Sequence, residues 1–161
     1  MPRFRCLIGL LILVFGGCET NTVYTVTHTL SDYTWYRKDN LQFNFCIQDN
    51  TQPYDIYLLI NYAPEYPYQN LHLTYYLKDI QSTVLTTELK NYLLFEPKTG
   101  KPLGRGWSRN KKQELILLKN YYFSTPGTYT VELAQFMRTE NLLGVHTVGI
   151  RVCKASPTIT P

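Results

Sequence analysis

Charge and histidine are both scarce in this chain of 161 residues, and the scarcity narrows its chemistry. Charged residues make up 17% of it, with sixteen Lys and Arg against twelve Asp and Glu. Two of the basic residues, Arg3 and Arg5, fall in a leader segment, and the remainder stands at +2. That balance excludes a nucleic-acid-binding surface as the leading idea. Only three histidines occur, His28 and His72 within strand patterns and His146 in a C-terminal turn, too dispersed to suggest a metal site or a His-based catalytic centre. There is no G-x-S-x-G, no H-E-x-x-H, no Walker loop and no G-x-G-x-x-G. Asp49 and Asp55 flank a turn at Pro53, where aspartate serves turn chemistry before it serves acid–base pairing. Beyond residue 18 no run approaches the ~20 apolar residues of a membrane-spanning helix. The expectation is a protein with no catalytic residues, no metal and no cofactor. With 44% apolar residues the chain is no disordered tail, and its low charge does not suit a coiled coil. Tyrosine is what it has in abundance, 14 residues, a composition that favours strands.

The first eighteen residues form a distinct unit. Arg3 and Arg5 precede the apolar run Leu7–Phe15, followed by Gly16-Gly17-Cys18. A basic start, an apolar run too short to span a bilayer and small residues at its end make a secretory signal peptide. Here the small residues run directly into a cysteine, as in a lipobox, with Phe15 where Leu is commoner. Cleavage after Gly17 would leave Cys18 as an acylated N-terminus. One acyl chain gives marginal attachment at about 0.8 kcal/mol per buried methylene, and two or more make it stable. The expected division is a signal peptide over 1–17, a lipidated Cys and short tether over 18–22, one domain over 23–155 and a flexible tail over 156–161.

The body alternates. Tyr24, Val26, His28 and Leu30 share one face, as do Leu41, Phe43, Phe45 and Ile47, then Leu71, Leu73, Tyr75 and Leu77. The period returns at Tyr129, Val131 and Leu133 and at Val148, Ile150 and Val152. A period of two marks strands with one buried and one wet face, as in antiparallel sheets. Ile56–Ile60 is apolar on both faces and reads as a central strand, while Thr83–Phe95 suits a strand or a turn of helix equally. Turn chemistry separates these stretches at Asp49–Pro53, Ala63–Pro67, Pro97–Gly106 and Ser124–Gly127. Seven to nine strands at this spacing predict an all-β fold, an antiparallel two-sheet β-sandwich of jelly-roll type. Its core is expected to hold Phe43, Phe45, Ile56, Leu58, Ile60, Leu73, Tyr129, Val131, Ile150 and Val152.

Three groups of residues are candidates for function. Lys98, Lys101, Arg105, Arg109, Lys111 and Lys112 form a basic run with no acid among residues 97–113. A glycine-containing basic loop of this kind suits an acidic partner or lipid phosphates, or is merely solvated. Tyr62, Tyr66, Tyr68 and Trp107 are loop-borne aromatics that would serve a glycan-binding module if their rings shared a surface; otherwise they pack. Cys46 and Cys153 remain once Cys6 leaves with the leader. By alternation both sit on the wetter side of their strands, as a disulfide pair or as two free thiols.

Two sets of residues resemble a known family. One is Pro53-Tyr54-Asp55 through Ile60, followed by Tyr66-Pro67-Tyr68-Gln69-Asn70-Leu71. The other is Gly127-Thr128-Tyr129, Gln135-Phe136-Met137-Arg138, Leu143-Gly144-Val145 and Val148-Gly149-Ile150-Arg151-Val152. Behind a lipobox, these resemble the GldH gliding-motility lipoproteins of the Bacteroidetes. The resemblance implies a non-enzymatic cell-envelope lipoprotein needed for surface gliding, connected with the type IX secretion apparatus. Its implied partners are the membrane, through the lipid anchor, and other envelope or gliding proteins. Surface-exported lipoproteins of this group often carry several acids behind the Cys, whereas Glu19 is the only acid in Glu19-Thr20-Asn21-Thr22. The expected location is therefore the periplasmic face of the outer membrane.

Overall fold

Alternating side chains become strands along nearly the whole of the computed structural model, which describes residues 21–106 and 110–155. The strands are β1 (Thr22–Thr29), β2 (Thr34–Tyr36), β3 (Leu41–Ile47), β4 (Tyr54–Tyr62) and β5 (Asn70–Lys78). They continue with β6 (Val84–Leu93), β7 (Lys111–Tyr121), β8 (Gly127–Gln135), β9 (Asn141–Leu143) and β10 (Val145–Lys154). Among the described residues, one 3-10 turn occurs, at Ser31–Tyr33. One sheet has the order β1-β10-β4-β7 and the other β3-β8-β5-β6, with β2 and β9 as a separate ribbon. Every pairing is antiparallel. The expected sandwich is what forms.

Its core follows from the alternation. All ten core residues expected from the sequence are buried between the sheets. β4 lies inside its sheet, between β10 and β7. Ile56, Leu58, Ile60 and Tyr62 fill the interior, while Tyr57, Leu59 and Asn61 alternate with them and are half-buried. Phe45, Tyr54, Tyr121, Phe123 and Tyr129 meet edge-on or tilted at one end of the core, the nearest pair 4.5 Å apart.

Four sequence expectations change. Thr83–Phe95, open between helix and strand, is mostly β6. Its register puts Lys90 opposite Leu73 and Glu88 opposite Tyr75, on the core side, where they pair at 2.6 Å. Leu85, Leu89 and Leu93 are left exposed. Inward charges on an edge strand oppose pairing with another chain, and they also erase the expected alternation. Lys111 and Lys112 belong to β7, not to a loop. His146 lies in β10 and not in a turn. Cys153 is buried rather than wet, with its thiol 3.8 Å from the Asp55 carbonyl, while Cys46 is exposed on β3 of the other sheet; both are free thiols.

Antiparallel pairing sorts the connections to two ends. At one end lie Asn21, the start of β1, the turns over 48–53, 79–83 and 122–126, and the end of β10. At the other lie the 3-10 turn, β2, β9, the 63–69 turn and the long connection from β6 to β7. A nine-residue strand such as β4 separates the two by about 30 Å.

One buried acid ties the second sheet together. The Glu132 carboxylate accepts hydrogen bonds from Lys78 Nζ at 2.8 Å and from Asn40 and Gln42 side chains at 2.9 Å. The bond from Lys78 outweighs desolvation and holds the Glu132 pKa below the usual glutamate value. A pKa lowered in the folded state stabilises above the unfolded value and ceases to do so as pH falls through the folded one. The urea midpoint is expected to drop as pH falls below about 4.5, the ordinary glutamate value, and Glu132→Gln should flatten that dependence. At neutral pH the same variant should cost about 1–3 kcal/mol, since Lys78 loses a charged acceptor. An unchanged pH slope in Glu132→Gln would assign the acid sensitivity to other carboxylates.

Candidate functional site

The connection from β6 to β7 contains the turn residues Pro97, Gly100, Pro102, Gly104 and Gly106, and the chain there builds a hydrogen-bonded frame. The Glu96 carboxylate accepts the backbone N–H groups of Thr99 at 2.6 Å and Lys98 at 3.1 Å. The bonds to Thr99 and Lys98 hold its pKa below the usual value. Gly100, at φ +66°, donates its N–H to the Glu96 carbonyl and closes the turn in the left-handed region. Phe95 bridges to Pro102, and Leu103 N–H donates to the Leu94 carbonyl.

Tyr62 pins this frame to the core. Its buried hydroxyl donates to the Leu94 carbonyl at 2.6 Å and accepts the Gly104 N–H at 3.0 Å. A Cβ at residue 104 would crowd that hydroxyl and Lys111, so the approach requires glycine. Arg105 and Lys112 then exchange backbone hydrogen bonds of 2.8 and 2.9 Å.

The frame distributes the basic run unequally. Lys98, Lys101, Arg105 and Lys112 are exposed, and none forms an ion pair among the described residues. Lys111 turns back, its Nζ donating to the Gly106 carbonyl at 2.7 Å. Arg109 lies outside the described residues. Arg105 and Lys112 also border an open groove of about 800 Å³ on the outer face of the first sheet, lined further by Thr27, Tyr57, Leu59 and Asn61. On that face Arg151 lies 4.8 Å over the Tyr57 ring and pairs with Glu114.

The aromatic candidates separate. Tyr62 and Tyr66 are core residues whose rings meet edge-on at 6.2 Å, and Tyr66 also stacks parallel to Phe95. Burial pushes the Tyr66 hydroxyl well above its ordinary pKa. Tyr68 alone is open, 38% exposed, and Trp107 lies outside the described residues. A shared glycan-stacking surface through Tyr62 and Tyr66 is therefore not formed.

The histidines stand apart. His28 packs on Phe43 at 4.7 Å, His72 meets Asn70 at 2.9 Å, and His146 stacks on Tyr33 at 3.9 Å and meets Asn110 at 3.1 Å. No group of His, Cys, Asp and Glu able to hold a metal occurs among the described residues.

Sequence reasoning passed over other residues at the same end. Tyr33, Phe136 and Leu143 are large, apolar and exposed there. Phe136 borders a cleft of about 430 Å³ with Tyr68, His72, Leu89, Met137 and Arg138. Asp32 and Tyr33 are successive non-glycine residues at φ +52° and +51°, a strained presentation of the Tyr33 ring. Tyr33 lies outside any alternating stretch, while Phe136 and Leu143 stand in segments that carry the family resemblance.

Comparison with known proteins follows the same lines. The chain matches the family described as GldH lipoprotein over residues 22–152. A gliding motility lipoprotein GldH homolog of Christiangramia forsetii is 28% identical over 151 aligned residues, 89% of this chain and 91% of that protein. Among solved structures, the VP2 subviral particle of infectious bursal disease virus aligns with a TM-score of 0.41 at 16% identity, over 86% of this chain and 33% of that one. Latent PorU of Porphyromonas gingivalis gives 0.38 at 8% identity, over 81% of this chain and 12% of that one. At these scores neither likeness bears on function.

Proposed function

The chain belongs to the GldH lipoprotein family, and from that premise we propose that it is a non-enzymatic scaffold or assembly component of the gliding machinery and its type IX secretion apparatus. In this reading Cys18 is acylated after cleavage behind Gly17, and the domain is held at the periplasmic face of the outer membrane. Degradation of the protein by protease added to intact cells would instead put the domain on the cell surface.

The observation that carries the reading is the division of labour between the two ends of the sandwich. Short turns and the route to the anchor occupy one end. The pinned basic segment and the exposed Tyr33, Phe136 and Leu143 occupy the other. A hydrogen-bonded frame presenting cations that form no ion pair among the described residues suits an acidic protein surface, and its reach is about 8 Å at physiological salt.

Replacing Lys98, Lys101, Arg105 and Lys112 together by Ser tests this. Exposed charges contribute 0.2–1 kcal/mol each, so losing four should weaken capture of envelope partners from detergent extracts by about 1–4 kcal/mol, or about 5- to 900-fold. Gliding should fail, while thermal stability and membrane attachment stay as in the parent. Normal capture and normal motility would remove the basic segment from the proposal.

A further inference from the structure

Asn21 is fixed to the domain, because its carbonyl accepts the Lys154 N–H at 2.8 Å. Cys18 precedes it by three residues. An extended chain spans at most ~3.3–3.6 Å per residue, so the Cys18 Cα lies within about 11 Å of Asn21. If Cys18 carries the acyl chains, the end of the sandwich holding Asn21 is drawn to the bilayer whatever path the tether takes.

That end has a surface suited to such a place. Ile80 is 71% exposed at the tip of the β5–β6 turn, and Tyr122 is 62% exposed directly after β7. Val84, at the start of β6 just after the turn that carries Ile80, is exposed as well. Tyrosine at a loop tip suits the membrane–water boundary, with its ring toward acyl chains and its hydroxyl toward headgroups. The acids of the same end, Asp49, Asp55 and Asp79, each accept a backbone N–H. Asp49 accepts the Thr51 N–H and hydroxyl at 2.9 and 2.6 Å, and Asp79 accepts the Gln81 and Thr83 N–H groups at 2.9 Å. Lys119 forms no ion pair among the described residues and is available to lipid phosphates, whereas Lys154 lies close enough to Asp49 to help lower its pKa.

We propose that this end is a lipid-contacting face: Ile80 and Tyr122 enter the boundary between headgroups and acyl chains and hold the sandwich upright on the membrane. The inference rests on acylation of Cys18, proposed above. It goes further by giving the domain an orientation, with the basic segment about 30 Å away from the bilayer surface. Phosphates of its own membrane are then not what Lys98, Lys101 and Arg105 meet.

The test uses the full acylated protein in vesicles of phosphatidylethanolamine and phosphatidylglycerol. In a Cys46→Ser background, with Cys153 buried, Ile80→Cys, Tyr122→Cys, Leu103→Cys and Leu143→Cys each carry a polarity-sensitive fluorophore. Lipids with a nitroxide near the headgroup are expected to quench the probes at 80 and 122, which should also shift to the blue. Probes at 103 and 143 should keep full emission. Vesicle-bound protein with acyl mass on residue 18 but unquenched probes at 80 and 122 overturns the seating alone, as does quenching confined to 103 and 143. Protein that neither floats with vesicles nor carries acyl mass overturns the anchor, and the seating with it.

Discussion

Cys18→Ser is expected to move the protein from the membrane fraction to the soluble fraction and to abolish labelling with palmitate. The leader run Leu7–Phe15 is too short to span a bilayer, and no helix among the described residues is long and apolar enough to do so. In the acylated form proposed above, each buried methylene contributes about 0.8 kcal/mol, so loss of the acyl chains should change the membrane-to-soluble ratio by at least about a hundredfold. Ile80 and Tyr122 place only two side chains at the interface, too little apolar area to retain the domain without the lipid. The fold itself should be untouched, since β1 begins at Thr22 and residues 23–155 supply every core side chain. The Ser variant should therefore melt at the parent temperature. Palmitate labelling that persists in this variant would contradict acylation at residue 18, and retention in the membrane without labelling would show that protein contacts suffice.

Strand positions were legible where one face is buried and the other wet. β3 and β5 show this most cleanly, and β4 is recognisable by its apolar outer face, where Tyr57 lies under Arg151 and Leu59 is half-buried. β6 was illegible for a physical reason. It is an edge whose core-side positions carry Glu88 and Lys90, so alternation points the wrong way. The polar opening of β7, Lys111-Lys112-Gln113-Glu114, reads as a continuation of the basic loop until pairing with β4 reveals it. β2 and β9, three residues each, are too short to show a period.

The candidate site was legible as composition and not as shape. The cations of the basic run are visible in the sequence, but the frame under them depends on Tyr62, thirty-two residues before its acceptor Leu94. Tyr62 and Tyr66 look like loop aromatics because Ala63, Pro64 and Pro67 surround them. They are buried in the core because the β6–β7 connection folds back and seats Phe95 against both rings. Cys153 alternates outward yet is covered. Its neighbour in the register is Asp55, whose carboxylate accepts the Asn120 N–H at 2.8 Å and draws the end of β7 over that patch.

Gly149→Ala should be the most damaging single change outside the anchor, and the reason lies in how β1 joins the sheet. Gly149 sits in β10 opposite Thr27 of β1 on one side and Leu59 of β4 on the other. A Cβ there would fall inside the van der Waals shell of the Val26 carbonyl oxygen, 2.6 Å from Thr27 Cγ2 and 2.7 Å from Thr27 Cα. Two of those three atoms are backbone, so no rotamer change relieves the overlap, and β1 must move away from β10. With it go the Tyr24 and His28 contacts to Phe45 and Phe43, which close that side of the sandwich. Overpacking alone costs about 1–3 kcal/mol, and loss of the β1 ladder adds to it, a large share of the 5–15 kcal/mol typical of a domain. Gly149→Val should leave no cooperative transition. The comparison is Gly100→Ala, where nothing lies within 4 Å and only the left-handed φ of +66° is strained, at about 1–2 kcal/mol. Urea midpoints for the two Ala variants separate the causes, and equal losses would reject the steric account of β1. Because β1 is also the strand that runs to the tether, a loosened β1 in Gly149→Ala should free the domain from its seat while acylation stays intact. A lipid-proximal probe at Ile80→Cys should then lose its quenching in Gly149→Ala and keep it in Gly100→Ala.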